Sequence, residues 1–190
     1  MRRFMGYPRT HCDCPQCAMN CKFIPGYLMP NDLLRIAAFH GVDLNPLLDG
    51  QYQKVNLRQF AATNLLASSG ALVLKNGRPC RIPTLVPARG ENGSCKFFDG
   101  SLCTIHSIAP FGCAFFDAHQ DLTLSSAISA AGLGIISRLW EAGHSLYCRI
   151  WDDLHRHGMI APAPEQCRHR MKNHRGENQF EENSRKETHS

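Results

Sequence analysis

The stretch HCDCPQCAMNC, residues 11–21, places four cysteines within ten positions, and this density constrains the fold more than any other feature. They are Cys12, Cys14, Cys17 and Cys21. Cys12 and Cys14 are separated by a single residue, and such neighbours rarely meet disulfide geometry without strain. A chain of 190 residues also buries about 70% of its unfolded surface, so it needs no crosslink to fold. Disulfides are therefore not the preferred interpretation of these thiols.

No targeting segment is predicted. The first ten residues, MRRFMGYPRT, include arginines but no apolar run after them, so they do not resemble a secretory signal. The longest apolar segment, AISAAGLGII at 127–136, is shorter than the roughly 20 residues that a membrane span needs. We expect a soluble, cytoplasmic protein. In that reducing compartment, ten cysteines indicate metal binding or redox chemistry.

Two helices are predicted in the first part of the chain. The segment MPNDLLRIAAFHG predicts a helix with Asn31 as its N-cap and Gly41 as the left-handed residue that ends it. The segment NLRQFAATNLLASSG predicts a second helix, from Asn56 to Gly70. Two β-hairpins follow. ALVLKNGRPCRIPTLV has β-rich arms around Asn-Gly, and CKFFDGSLCTIH has shorter arms around Asp-Gly.

The pattern from Leu122 to His157 is helical, with an apolar stripe that predicts burial and with Gly143 dividing it into two helices. The fold class predicted is α+β, with helices around short β-hairpins in a small metal-stabilised domain. We predict a cysteine-cluster metal-binding domain over residues 1–160, then a linker and disordered polar tail over 161–190.

Cysteine spacing predicts a shared metal centre. Two residues separate Cys14 from Cys17, a spacing that lets two thiolates converge on one ion. Cys21 could add a third ligand. The remaining ligands would come from a second cysteine-rich region that ends with Cys113. The candidate ligands are Cys12, Cys14, Cys17, Cys21, Cys95, Cys103 and Cys113.

Three segments carry a resemblance to a known family: CPQCAMNCKF, LMPNDLLRIA and CKFFDGSLCTIHSIAPFGCAFF. In their order and spacing they resemble the CxxCxxCC-type (YkgJ-type) cysteine-cluster family, described as a zinc- or iron-chelating domain. The resemblance covers about residues 12–118. The resemblance implies that both cysteine clusters of the family are present here and chelate metal. The first corresponds to Cys14, Cys17 and Cys21, and the second to Cys95, Cys103 and Cys113, with Ile105 and Pro110 as its landmarks.

The chain also departs from the family's pattern. It has no adjacent Cys-Cys pair, and Cys12 stands where a displaced fourth cysteine of the cluster would be. The family's Arg-Pro is Ala109-Pro110 here, and Ala114 follows the last cysteine in place of arginine. The resemblance therefore implies metal chelation more firmly than any activity.

The metal is either a 4Fe–4S cluster or zinc. Seven candidate thiolates exceed what one tetrahedral zinc needs, and closely spaced cysteines also hold iron–sulfur clusters. We favour an iron–sulfur redox or accessory protein that meets a protein redox partner or client. The alternatives are a zinc-binding structural or interaction protein, and a protein-modifying enzyme resembling flagellin lysine N-methylase. No catalytic motif is identified, and a net charge of +5 without a concentrated basic face does not favour nucleic acid. No membrane association is expected.

Five further residues are weighed as possible participants. Cys80 lies in RPCRIP and is either an extra ligand or uninvolved, and Cys148 and Cys167 are expected not to bind metal. His106 and His119 flank the second cysteine region, where they could ligate the metal. Solvent exposure or a hydrogen bond to sulfur is the preferred prediction for both.

Overall fold

The computed structural model describes residues 14–42, 44, 60, 63–101, 103–114, 119–143 and 145–162. Over this part of the chain the fold is α+β, as predicted. The elements in chain order are α1 Pro15–Phe23, α2 Pro30–Phe39, β1 Leu66–Lys75, β2 Arg78–Pro87, a 3-10 helix His106–Ile108, α3 Phe111–Ala114, α4 Leu122–Ala142 and α5 Leu146–Arg156. Cys12, Cys167 and the predicted tail beyond residue 162 lie outside the described residues.

The first predicted hairpin is confirmed. β1 pairs with β2 in antiparallel fashion from Leu66↔Pro87 to Lys75↔Arg78. Asn76 and Gly77 form the turn with φ of +52° and +74°, and two positive φ values suit the twist of a two-residue hairpin turn. The second predicted hairpin is wrong in extent, because over the described residues its arms form the isolated bridge Phe98↔Cys103, beside a hydrogen bond from the Thr104 N–H to the Phe97 carbonyl, and not a pair of strands.

The predicted helix Asn56–Gly70 is wrong at its C-terminal end, where Leu66–Gly70 belong to β1. Ser68 in this segment donates its backbone N–H to Met159 at 2.9 Å, and its carbonyl accepts from Ala161 at 2.8 Å. The segment is thus hydrogen-bonded to β2 on one side and to the residues after α5 on the other. These distant partners outweigh local helix propensity.

Helix α2 is confirmed, and Gly41 ends it with φ +73°. The predicted N-cap Asn31 is wrong, because the cap position is Met29. The backbone N–H of Met29 donates to the Asp32 carboxylate at 2.7 Å, so the capping side chain belongs to a residue in the first turn of the helix. Asp32 is fully buried. Its second oxygen accepts from the guanidinium of Arg35, one helical turn along.

The predicted division at Gly143 is confirmed, with φ +80° at the end of α4. Trp140 and Trp151 pack edge to face across the division, with ring centroids 5.5 Å apart. Most of the predicted apolar stripe is buried or partly buried, but Ile135, which the helical spacing places on the stripe, is 41% exposed, so the prediction of burial is wrong at this position. Helix α4 has 21 residues and is long and apolar enough, by length and composition only, to cross a membrane, a test that helices of soluble proteins also pass.

The core lies where α2, the hairpin and α5 meet. Tyr147 of α5 connects these elements, because its hydroxyl donates to the Leu28 carbonyl at 2.9 Å and accepts the Leu85 N–H at 2.8 Å. Burial raises the pKa of this phenol well above its usual range, so the hydroxyl stays protonated. The residues before α2 are thereby attached to β2, which supports the cysteine-bearing segments on either side.

Candidate metal centre

Helix α1 presents two thiols in its first turn. Cys14 is the N-cap, and its sulfur accepts the backbone N–H of Cys17 at 3.5 Å. Pro15 occupies the first turn, where its missing N–H costs nothing. The spacing therefore places both sulfurs at the helix N-terminus, where unsatisfied N–H groups and the helix dipole favour negative charge.

His119 approaches the same point from a distant part of the chain. Its Nε2 lies 3.5 Å from the Cys14 sulfur. The donor atoms of Cys14, Cys17 and His119 all lie within 4.8 Å of one another, so the three residues can hold a metal ion. Cys17 is buried, Cys14 is half-buried and His119 is exposed. We call Cys14, Cys17 and His119 the cap group.

The last turn of α1 meets the second cysteine region. Cys95 donates its backbone N–H to the carbonyl of Lys22 at 2.8 Å, next to Cys21. The Cys95 side chain is buried, and burial raises the pKa of its thiol to about 12. The nearby thiols of Cys103 and Cys21 raise this pKa further, while the Phe97 N–H that donates to the sulfur lowers it.

Cys113 reaches the same region through a close backbone contact. Gly112 donates its N–H to the Tyr27 carbonyl at 3.1 Å. A Cβ atom on Gly26 would lie 2.1 Å from the Gly112 carbonyl carbon, so only glycine allows this approach. The backbone N–H of Gly26 donates to the Cys113 thiol. Burial raises the pKa of Cys113 strongly, and the thiols of Cys95, Cys103 and Cys21 raise it further.

Among the described residues, the cap group is the one set of three or more candidate donors within 4.8 Å of one another. At longer range, the charges of Cys21 and Cys103 raise the pKa of both Cys95 and Cys113, so four thiols lie within electrostatic reach: Cys21, Cys95, Cys103 and Cys113. We call them the four-thiol group. Without a cation, burial and mutual repulsion keep Cys95 and Cys113 protonated at neutral pH. A bound metal supplies the positive charge that stabilises thiolates. A sulfur-only donor set fits the soft ions zinc and iron, the latter in iron–sulfur clusters.

Asp32 connects α2 to this region. Its carboxylate accepts the backbone N–H of Phe111 at 3.0 Å, two residues before Cys113. Burial raises the pKa of Asp32, opposed by the N–H groups of Met29 and Phe111 and by the positive charge of Arg35. The carboxylate therefore positions the start of α3.

Cys80 and Cys148 belong to neither group, whereas the His106 backbone N–H donates to the Cys103 carbonyl at 3.0 Å and His119 is part of the cap group. Cys80 is exposed on β2, opposite Val73. Cys148 is 3% exposed, and its sulfur lies 3.1 Å from the Ser145 hydroxyl, as suits a packing residue. His106 is half-buried in the 3-10 helix. For His119, solvent exposure or a hydrogen bond to sulfur was the preferred prediction and ligation the alternative; it is exposed, and its Nε2 lies 3.5 Å from the Cys14 sulfur. No sequence spacing connects it with Cys14, because 105 positions separate them.

Comparisons with protein-family models, curated proteins and solved structures found no match for the chain. The resemblance to the cysteine-cluster family therefore stays a hypothesis. Of its landmarks, Ile105 is buried in the core and Pro110 immediately precedes α3.

Proposed function

We propose that the protein carries a 4Fe–4S-type cluster on the four-thiol group and serves as a redox or accessory protein in the cytoplasm. One observation carries the proposal: the Lys22–Cys95 hydrogen bond joins the end of α1, which bears Cys21, to the second cysteine region. Two sulfur-bearing segments that are distant in sequence are thus neighbours in space. A cluster with four cysteine ligands from these segments requires such a contact between them.

The environment of these thiols favours a redox cluster. Cys95 is buried, while Cys21, Cys103 and Cys113 are half-buried. The Phe97 and Gly26 N–H groups donate to the sulfurs of Cys95 and Cys113. Hydrogen bonds to sulfur and limited solvent exposure are among the features that tune the reduction potential of such clusters. A cluster at this site would lie near the surface but be shielded from water, a position suited to one-electron exchange with a protein partner.

Zinc is the second candidate, and the cap group favours it. Two sulfurs and one imidazole nitrogen form a mixed donor set that is typical of zinc. With Cys14, Cys17 and His119 as three ligands, a fourth position remains for water or another side chain. A zinc ion here would stabilise the attachment of α1 to the residues just before α4.

Oxygen-free purification tests both candidates. Iron, acid-labile sulfide and zinc are quantified, and the visible spectrum is recorded for the wild type and for Cys95→Ser and Cys103→Ser. We expect iron and sulfide with charge-transfer absorption in the wild type and their loss in both variants. Cys80→Ser is the matched control and keeps the spectrum. If the wild type is colourless, free of iron and contains zinc, the bound metal is zinc and not an iron–sulfur cluster. If the wild type contains no metal, the proposal is overturned.

A further inference from the structure

The N-terminus of α1 holds the sequence Cys14-Pro15-Gln16-Cys17, a Cys-x-x-Cys dithiol. We propose that Cys14 and Cys17 also form a reversible disulfide, which makes this helix end a site of thiol–disulfide exchange with disulfide substrates. The inference concerns the cap group and goes beyond the cluster proposed for the four-thiol group.

The two sulfurs are close enough to bond without rearrangement of the fold. They lie within 4.8 Å of each other in the first turn of α1. Residues three apart on a helix have Cβ atoms about 5–6 Å apart, and a disulfide needs about 3.5–4.5 Å, so a slight tightening of the turn suffices. None of the eight described cysteines is disulfide-bonded in the structure.

The two thiols differ in accessibility, and this assigns their roles. Cys14 is half-buried and faces His119, while Cys17 is 2% exposed. An external disulfide can therefore reach Cys14 but not Cys17. The Cys17 N–H donates to the Cys14 sulfur at 3.5 Å, so the two residues already face each other across the first turn of α1.

The exchange proceeds in two displacements. The Cys14 thiolate attacks one sulfur of a substrate disulfide, RSSR, which forms Cys14–S–S–R and releases RS⁻. Cys17 then attacks the Cys14 sulfur, which forms the Cys14–Cys17 disulfide and releases the second RS⁻, and the Cys17 proton passes to a released thiolate. Two electrons move from the dithiol to the substrate. Because a metal ion needs both thiolates as ligands, the disulfide and metal binding at the cap group exclude each other.

Oxidised glutathione serves as the probe in the test, with the full-length protein kept free of oxygen. After quenching, alkylation and peptide mapping locate any disulfide. We expect a Cys14–Cys17 crosslink that is lost in Cys14→Ser and Cys17→Ser and kept in Cys80→Ser. Prior addition of zinc should protect the pair, with zinc released as the crosslink forms.

Three results would overturn the inference: no crosslink in the wild type, a glutathione adduct on Cys14 that Cys17 never resolves, or a crosslink formed at the same rate with zinc bound. Mapping the wild type keeps the test decisive even if a variant fails to fold. Iron content is measured in the same samples. If the untreated protein has no iron–sulfur spectrum but forms the crosslink, the proposed function is contradicted and this inference is not. If the protein has the spectrum but forms no crosslink, this inference is contradicted and the proposed function is not.

Discussion

The backbone N–H of Cys95 donates to the carbonyl oxygen of Lys22 at 2.8 Å. This hydrogen bond joins the last turn of α1 to a segment 73 positions further along the chain, after both strands of the hairpin. It places Cys21 and Cys95 in one neighbourhood, where the charge of a Cys21 thiolate raises the pKa of Cys95. Bringing two such groups together is unfavourable for the thiolates alone and becomes favourable when a cation binds between them.

Substitution of Cys95 and of Cys148, both buried, should distinguish a metal ligand from a packing residue. Cys95→Ser is expected to lose metal and to unfold at lower denaturant concentration, because structural metal sites contribute on the order of 10 kcal/mol in small peptides. Cys148→Ser should keep its metal, since that thiol packs against Ser145 and the Leu139 carbonyl. Metal analysis and urea titration measure both effects. Equal metal loss in the two variants would show that the ligands are misassigned.

The stability of the metal-free protein should fall at alkaline pH. An unfolded chain loses the Cys95 proton near the ordinary pKa of 9.0, whereas the folded chain keeps it up to about 12. The stabilisation is complete below pH 9.0 and is lost as pH rises towards 12, by up to about 1.4 kcal/mol per pH unit for one thiol. Urea unfolding at about pH 8.5 and about pH 10.5 measures the slope. Cys95→Ala should reduce it, and identical slopes in both proteins would contradict the assignment.

The Gly26–Gly112 contact should tolerate no side chain. In Gly112→Ala the new Cβ would lie 2.4 Å from the Tyr27 carbonyl oxygen, so the backbone must move and carry Cys113 with it. We expect a loss of several kcal/mol, on the order of 3, and weaker metal retention. Gly134→Ala is the matched control, because its Cβ would meet nothing closer than 3.8 Å. Within a helix that change should stabilise by up to about 1 kcal/mol. Equal stability of the two variants in urea titrations would contradict this account of the contact.

Removal of the Asp32 charge should destabilise the whole cysteine region. Asp32→Ala leaves the buried Arg35 without its carboxylate and the N–H groups of Met29 and Phe111 without their acceptor. We expect a cost of about 3–5 kcal/mol. Asp153→Ala is the control, since its contact with Arg156 lies at the surface, where such pairs contribute at most about 1 kcal/mol. Chemical denaturation compares them, and a similar cost for both would refute the structural role of Asp32.

Local chemistry made part of this fold predictable. The Asn76-Gly77 turn and the helix ends at Gly41 and Gly143 depend on residues that favour positive φ, which the sequence shows directly. The strand at Ser68 was mistaken for helix because its partners, β2 and Met159, are distant in the chain. Helix and strand propensities carry no record of such pairings.

The candidate site likewise has a part that the sequence predicts and a part that depends on contacts between distant residues. Cys14 and Cys17 were predictable together, because a two-residue gap places both in one helical turn. His119 was not, since it reaches Cys14 from 105 positions away at a turn before α4, where no periodic pattern indicates which way the side chain points. The contact between the two glycines that carries Cys113 to its place is equally non-local.

Metal-edge X-ray absorption on the wild type, Cys21→Ser and Cys95→Ser tests the central claim most directly, because it counts the sulfur ligands of the bound metal. The account predicts an all-sulfur iron environment with iron neighbours in the wild type, and loss of that centre when a ligand from either segment is replaced. An unchanged metal environment in both variants would contradict the claim that Cys21 and Cys95 bind one inorganic centre.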